Sequence, residues 1–269
     1  MGLGILHRAI DGVAELPLLK SLRRAAYERE FARATRVNYF RGVFDTFEAA
    51  AASAPQTKAV GYDNEDSAQL YKGWEKPFLK DYPAMLWIRD GLDKGLRNVF
   101  DLGGHVGIKY YAFAPYVRFP ADTRWTVVDV PAVVERGRKM AMERSISQLA
   151  FSDRIEDADG CDILFASGSL QYLSWTLDEK LARMSSRPRR LVINTTAIHP
   201  TRAFFTLNSI GTAFCPYRVQ AEPRFIESIE ALGYRTLDRW ETPKEFVVPF
   251  HEGYDLDHYT GFCFESSAH

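Results

Sequence analysis

Hydrophobic positions change their spacing near residue 97. Beyond it, short apolar runs alternate with segments whose apolar residues recur at helical spacing, a pattern typical of strands alternating with helices in an α/β sheet. The last two runs have no helix between them and predict an antiparallel C-terminal hairpin. We expect a doubly wound, seven-stranded sheet, with strands over 98–102, 125–130, 149–151, 162–166, 190–194, 234–240 and 259–264.

The first part of the chain lacks this alternation. We predict that residues 1–95 form a helical extension or cap and that 96–269 form the main domain. Residues 37–95 are expected to be helices and loops without repeated strands. Apolar residues at helical spacing over 1–36 favour a helix packed on the domain or on a partner; weak contact with an anionic membrane surface is the alternative, and acidic residues dilute the charge that it needs.

The turn after the first predicted strand is rich in glycine. Glycine allows tight turns and close approach of a ligand, because it has no Cβ. A dinucleotide fingerprint requires G-x-G-x-x-G, but Leu102 stands at its first position. The carboxylate of Asp101 would repel a pyrophosphate, whereas it suits a cationic ligand end such as the amino group of a methionine moiety. The turn therefore predicts a site for a nucleotide-like ligand with a cationic end.

Ligands of such sheets lie beyond the carboxyl ends of the strands. Asp129 ends the second strand, about twenty residues past the glycines, and its carboxylate suits the two hydroxyls of a ribose. Its alternative role is to cap the following helix. Ser167, Gly168 and Ser169 follow the fourth strand, and as small residues they leave room for a ligand.

These features resemble class I S-adenosylmethionine (SAM)-dependent methyltransferases. Asp101, Gly103 and Gly107 match motif I, D/E-x-G-x-G-x-G, and His105 replaces its middle glycine. A narrower resemblance, from about residue 38 to the end, is to a family of bacterial methyltransferases whose genes often lie among surface-polysaccharide or secondary-metabolite genes. Residues 40–44, 61–63, 101–104, 125–131, 167–172, 216–218 and 261–264 carry it.

The resemblance implies a Rossmann-like fold and SAM as the cofactor. It also implies a polar contact to adenine at Asp153, for which a surface turn is the alternative, and it places Tyr172 against adenine or the acceptor. The predicted cofactor-binding residues are Asp101, Gly103, Gly104, His105, Gly107, Asp129, Val130, Asp153, Ser167, Gly168 and Ser169. The insert 197–222 and the N-terminal region are expected to form the acceptor site, with Tyr172, Phe205, Tyr217 and Arg218 as its residues.

We predict methylation of a small-molecule or sugar-type acceptor at oxygen, in a bacterial biosynthetic pathway. A hydroxyl acceptor needs a base, and His199 is the first candidate, followed by His105. The alternatives are a non-catalytic SAM-fold scaffold or regulatory module and a nicotinamide oxidoreductase, against which Leu102 counts. No metal site is expected, because the acidic and histidine residues near the C-terminus match no ligand motif: His251, Asp255, Asp257 and His258.

The composition of the chain limits the classes of partner that we expect. A net charge of −1 gives no basic field, which disfavours nucleic acid. Three cysteines without C-x-x-C spacing favour a reduced, cytoplasmic protein. No apolar run approaches the ~20 residues of a membrane span, and charges interrupt any signal-peptide core near the N-terminus. We therefore expect a small-molecule acceptor as the partner, and homodimerisation is left open.

Overall fold

The computed structural model describes residues 17–35, 38–61 and 75–267. The described strands form two sheets, a main sheet of seven strands and a second sheet of five. In chain order the elements are α1 (Pro17–Arg33), β1 (Tyr39–Phe44), α2 (Phe47–Ala52), β2 (Ala59–Val60), α3 (Tyr82–Asp93), β3 (Asn98–Leu102), α4 (Ile108–Phe113), β4 (Arg124–Val128), α5 (Pro131–Glu143), β5 (Leu149–Ser152), β6 (Ile163–Ser167), α6 (Leu177–Leu181), β7 (Arg190–Thr196), β8 (Ile198–His199), β9 (Phe204–Ile210), β10 (Ala213–Ala221), α7 (Glu222–Glu230), β11 (Tyr234–Phe246) and β12 (Leu256–Ser266). Short 3-10 helices cover Leu79–Asp81, Ile155–Ala158 and Leu170–Tyr172.

The main sheet has the strand order β11-β12-β7-β6-β3-β4-β5. Strands β3 to β7 are parallel to one another, and β12 is antiparallel to both β7 and β11. Its central strands are largely apolar because both faces are covered, one cluster containing Trp125 and Phe165 and the other Phe100 and Phe262. The predicted doubly wound, Rossmann-like α/β sheet with a C-terminal hairpin is confirmed.

The second sheet has the order β1-β9-β10-β2, and β8 also pairs with β10. The expectation of only helices and loops over residues 37–95 was therefore wrong, because β1 and β2 are strands. The insert 197–222 likewise consists mostly of strands. The strands of both segments were missed for one reason. The second sheet joins segments that are distant in sequence, and neither segment has a full hydrophobic pattern alone. The domain division at residue 96 stays a prediction.

Helix α1 packs on the second sheet. The rings of Phe31 and Phe214 stack with centroids 5.3 Å apart, and the hydroxyl of Tyr27 donates to the carbonyl of Phe40 at 2.7 Å. This is the cap packing predicted for the N-terminal helix, seen from Pro17 onward. Residues 1–16 lie outside the described part of the chain, and membrane-surface contact stays an untested alternative.

Helix α3 runs along the main sheet and positions the 3-10 helix at its start. Arg190, fully buried in β7, donates to Asp90 of α3 at 2.6 Å and to Glu265 of β12 at 2.7 Å. The indole of Trp87 donates to Asp238 of β11 at 2.7 Å. Within the described residues, no helix combines the length and apolarity required to traverse a bilayer.

Candidate active site

The turns after β3 and β6 meet at the carboxyl edge of the main sheet. These strands are neighbours although they are not consecutive in the chain, so a crevice is expected between them. Ser169 donates to the carbonyl of Leu102, and a Cβ placed on Gly103 would lie 2.3 Å from the Cβ of Ser169. Gly103 also has a φ of +74°. Glycine is therefore required here, and two groups of predicted site residues lie together.

Asp101 lies beneath this turn. Its side chain is 1% exposed, and a Cβ on Gly104 would lie 2.4 Å from its Oδ2. Trp125 Nε1 donates to Oδ2 at 3.1 Å, and Oδ1 has no hydrogen-bond partner in the described part of the chain. Burial raises the pKa of Asp101 to about 7, against the lowering effects of Trp125 and Lys109. The expected contact between Asp101 and a cationic ligand end therefore has no exposed carboxylate oxygen to serve it.

Asp129 links the glycine turn to the start of α5. Its Oδ2 accepts from the backbone of His105 at 2.9 Å and its Oδ1 from the backbone of Val130 at 2.8 Å. His105 is buried and has a φ of +57°, while Gly107, with a φ of +90°, is the N-cap of α4. Asp129 itself is half-buried. It holds the turn and retains exposed surface beside it, as a diol contact requires.

The remaining predicted cofactor residues lie at two places along the edge. Gly168 has a φ of +72°, and a Cβ there would be in ordinary van der Waals contact with Gln171 Nε2 at 3.9 Å. Ser167 accepts a hydrogen bond from Asn194 at 3.2 Å. Asp153 is exposed after β5, at the far end of the sheet. The structure therefore brings 167–169 to the glycine turn, and Asp153 follows Ser152, whose carbonyl accepts from the amide of Asp129 at 3.2 Å.

A buried network at the same edge was missed by sequence reasoning. Asp81, fully buried, accepts from Lys109 Nζ at 2.7 Å and from Asn194 Nδ2 at 3.3 Å. Asn194 Oδ1 accepts from Trp240 Nε1 at 3.0 Å. These contacts join the 3-10 helix before α3 to α4, β7 and β11. Lys109, two residues after Gly107, and Asn194, near the end of β7, were detectable by position, whereas nothing in the sequence indicates a burial of Asp81.

The predicted acceptor residues separate into two pairs. The hydroxyl of Tyr217 donates to that of Tyr259 at 2.8 Å, and the rings of Tyr217 and Tyr172 lie edge to face at 5.1 Å. Arg218 instead stacks over Phe205, with its guanidinium carbon 4.7 Å from the ring centroid. Adjacent residues of a strand point to opposite faces. The four predicted residues therefore do not line one face of the second sheet.

His199 is occupied by the backbone around it. Its Nδ1 accepts from the amides of Thr201 and Arg202 at 3.0 and 2.9 Å, and its Nε2 lies 3.1 Å from the carbonyl of Gly253. This pattern places the proton on Nε2, where it is donated to that carbonyl. Burial also lowers the pKa of His199. The structure therefore contradicts His199 as an available base.

Asp257 and His258 of β12 form a pair, and Asp255 before this strand accepts from the backbone of Val248 at 2.9 Å. His258 Nδ1 lies 2.6 Å from Asp257, and its Nε2 lies 3.5 Å from Glu241. Within the described ranges, no group of three or more His, Cys, Asp or Glu side chains is arranged to hold a metal ion. These contacts account for the C-terminal cluster as a surface arrangement.

No protein-family model and no curated protein matches the chain. Among solved structures, it is similar to the 1,6-didemethyltoxoflavin-N1-methyltransferase of Burkholderia thailandensis with bound S-adenosylhomocysteine (SAH), at 18% identity over 76% of this chain and 83% of that one, with a TM-score of 0.48. It is also similar to magnesium protoporphyrin IX methyltransferase of Synechocystis with bound SAM, at 17% identity over 70% of this chain and 77% of that one, with a TM-score of 0.46. A third similar structure is the CcbJ methyltransferase of Streptomyces caelestis, at 12% identity over 78% of this chain and 99% of that one, with a TM-score of 0.47. These low values describe a partial similarity of fold and assign no activity to this chain.

Proposed function

We propose that the protein is a SAM-dependent methyltransferase that acts on a small-molecule or sugar-type acceptor, at oxygen, in a bacterial biosynthetic pathway. One observation carries the proposal, namely the meeting of the β3 and β6 turns beside Asp129 at the carboxyl edge. It is the place where a doubly wound sheet binds its ligand. The turn lacks the full G-x-G-x-x-G pattern of dinucleotide sites, which favours SAM over a nicotinamide cofactor.

The residues at this edge fit the proposed cofactor. Asp129 offers a half-buried carboxylate for the ribose hydroxyls, and Gly168 adds no side chain at the end of β6. When bound, SAM supplies a methyl group on a sulfonium with its own leaving group. The protein then has to orient the two reactants and to exclude water.

An acceptor hydroxyl would lose its proton during the reaction. Both ring nitrogens of His199 are engaged, so His105 remains the candidate for receiving that proton. His105 is 5% exposed and lies within the glycine turn. Because its backbone amide is held by Asp129, its position is coupled to the proposed ribose contact.

Calorimetry with SAM and SAH tests the cofactor. We expect the native protein to bind both, and Asp129→Ala to weaken binding at least tenfold because the diol loses its acceptor. Glu135→Gln, an exposed acid on α5, is the matched control and should bind as the native protein does. Absence of binding by the native protein would sink the proposal.

A non-catalytic SAM-fold module is the second candidate. The observation that favours it is the loss of His199 as a base. One ring nitrogen of His199 accepts from the turn 199–202, and the other is bonded to the carbonyl of Gly253. A screen of hydroxylated acceptors with SAM, followed by measurement of SAH formation, separates the two. Turnover on any acceptor supports the enzyme, and SAM binding without turnover across the panel supports the module.

A further inference from the structure

The amino-acid end of the proposed cofactor has no partner in Asp101. SAM and SAH both end in an amino acid with one carboxylate and one ammonium. Asp101 is 1% exposed, and its Oδ2 is bonded to Trp125, so this acid lies beneath the glycine turn and not beside a ligand. A charged partner for the amino-acid end therefore has to be found elsewhere along the carboxyl edge.

The order of the strands gives the direction in which this end extends. Asp129, the proposed ribose contact, follows β4, and β6 lies on the other side of β3. A cofactor with its ribose at Asp129 therefore passes one of its two ends over the turn after β3 toward β6 and β7. The other end points toward β5, where the resemblance implies an adenine contact at Asp153. The amino-acid end is then the one that reaches β6 and β7.

Lys109 is a cationic side chain held on that side of the edge. It is the second residue of α4, two residues after Gly107, and its ammonium donates to Asp81 Oδ2 at 2.7 Å. Asn194 Nδ2, on β7, donates to Asp81 Oδ1 at 3.3 Å and to the hydroxyl of Ser167, on β6, at 3.2 Å. These contacts place the ammonium of Lys109 near the carboxyl ends of β6 and β7.

The ion pair with Asp81 leaves Lys109 able to bind a second anion. An ammonium has three donors, and in the described part of the chain Lys109 uses one of them, for Asp81. Asp81 also accepts from the backbone of Phe78 at 2.9 Å and from Asn194, so its charge does not depend on Lys109 alone. The side chain of Lys109 is 15% exposed, whereas that of Asp81 is fully buried. Of the two charges, Lys109 is the one that a ligand can reach.

Resting on the proposed function, we propose that Lys109 binds the carboxylate at the amino-acid end of SAM and SAH, and that Asp81 holds the ammonium of Lys109 in place from the buried side. The contact would be a charge-assisted hydrogen bond, which is stronger than a neutral one. Lys109 thereby takes the role in recognising the amino-acid end that the sequence analysis gave to Asp101. In this assignment Lys109 is a binding residue and Asp81 a positioning residue.

Calorimetry with three ligands that share the adenosine tests the assignment. SAH has the whole amino-acid end, decarboxylated SAH keeps the ammonium alone, and 5′-methylthioadenosine has neither group. The test variants are Lys109→Gln and Lys109→Gln/Asp81→Asn, the second of which leaves no buried carboxylate without its counter-charge. Lys80→Gln is the matched control, because the ammonium groups of Lys80 and Lys109 lie 5.5 and 5.8 Å from the Phe78 ring centroid but it is Lys109 that bonds to Asp81. Thermal unfolding of each variant verifies that it is folded.

We expect the native protein to bind SAH about tenfold more tightly than decarboxylated SAH, because one charge-assisted hydrogen bond is lost. Both Lys109 variants should lose about tenfold in SAH affinity for the same reason. They should bind decarboxylated SAH at least as tightly as the native protein does, and 5′-methylthioadenosine equally well. Lys80→Gln should bind all three ligands as the native protein does.

Equal SAH affinity of the native protein and the Lys109 variants would overturn the assignment. An equal loss for all three ligands would also overturn it, because the damage would then lie in the nucleoside site. The same holds if Lys80→Gln loses as much SAH affinity as Lys109→Gln. Failure of the native protein to bind SAH would instead contradict the proposed function.

Discussion

The main sheet and the second sheet obtain their strands in opposite ways. Strands β3 to β7 come from one continuous part of the chain, 98–196, and pack apolar side chains on both faces. The second sheet joins β1 to β9, and there Asn208 donates to the carbonyl of Tyr39 across 169 residues at 3.1 Å. Thr206, Asn208 and Ser209 of β9 are fully buried although they are polar.

This difference has an energetic consequence. Apolar packing is non-directional and tolerates small shifts, whereas a buried polar group costs free energy unless its partner is held in place. We therefore expect the main sheet to depend on packing at its turns and the second sheet on single hydrogen bonds. Perturbing one sheet should leave the other largely intact.

The largest expected effect uses pH to act on the main sheet alone. The pKa of Asp101 is raised to about 7 in the folded protein, above its ordinary value of 3.8. Between these values the unfolded chain releases a proton that the folded chain keeps, so stability falls as the pH rises and is constant above about 7. At about 1.4 kcal/mol per unit, this amounts to about 4 kcal/mol.

This pH-dependent change in stability is measured by urea unfolding of the native protein and of Asp101→Asn from pH 4 to 8. The native protein and Asp101→Asn, an uncharged isostere of the protonated acid, should differ least at pH 4, and the native protein should lose about 4 kcal/mol relative to the variant as the pH rises to 7. Burial lowers the pKa of His199 in β8 below its ordinary value of 6.5, and because both proteins keep His199, its effect on stability cancels in their difference. A difference that does not change with pH would contradict the buried, protonated Asp101.

Next in size is Gly103→Ala. The new Cβ would lie 2.3 Å from the Cβ of Ser169, at a φ of +74°. Overpacking and backbone strain together should lower the unfolding free energy by about 3 kcal/mol and abolish SAH binding. Gly160→Ala is the control, because φ is +77° there but no atom lies within 4 Å. Its cost should be backbone strain alone, about 1 kcal/mol, and equal costs would show that the turn contact is unimportant.

A smaller effect is expected from Asn208→Ala in the second sheet. The substitution removes the hydrogen bonds that Asn208 makes to the carbonyl of Tyr39 and accepts from the hydroxyl of Tyr172, at a cost of about 2 kcal/mol. Hydrogen exchange in β1 should become faster, while exchange in β3 to β6 and SAH affinity stay unchanged. Faster exchange throughout the main sheet would show that the two sheets unfold together.

The smallest effect is expected from Tyr217→Phe. The hydroxyl of Tyr259 loses its partner in a buried site, which should cost about 1 kcal/mol. Removing both hydroxyls in Tyr217→Phe/Tyr259→Phe should recover much of this loss, because no buried polar atom is then left alone. A double-mutant cycle measured by urea unfolding gives the coupling, and purely additive losses would contradict it.

The same contrast explains how far the sequence was predictive. Strand 98–102 has the predicted bounds because an apolar run that ends in a glycine turn identifies it locally. Strands β1 and β9 lack such local information, since their pairing depends on residues far apart and their buried faces include polar side chains.

The candidate site shows the same limit at the level of single residues. Gly103 and Asp129 follow from the position of glycine and acid at strand ends. Two other features arise only from tertiary packing. His199 is hydrogen-bonded to a turn and to a distant carbonyl, and Asp81 is buried against Lys109. Motif reasoning therefore locates the edge of the sheet that matters, and the structure decides which side chains face it.

The order of the second sheet has a practical consequence for anyone who trims this protein for expression. Strands β1 and β2 cover the two sides of the β9–β10 hairpin. A chain shortened to begin after residue 61 would expose the backbone donors and acceptors of β9 along its seven residues, Phe204–Ile210. An uncovered edge of this kind pairs readily with other copies. Self-association, rather than a missing cofactor site, is then the failure to expect from such a fragment.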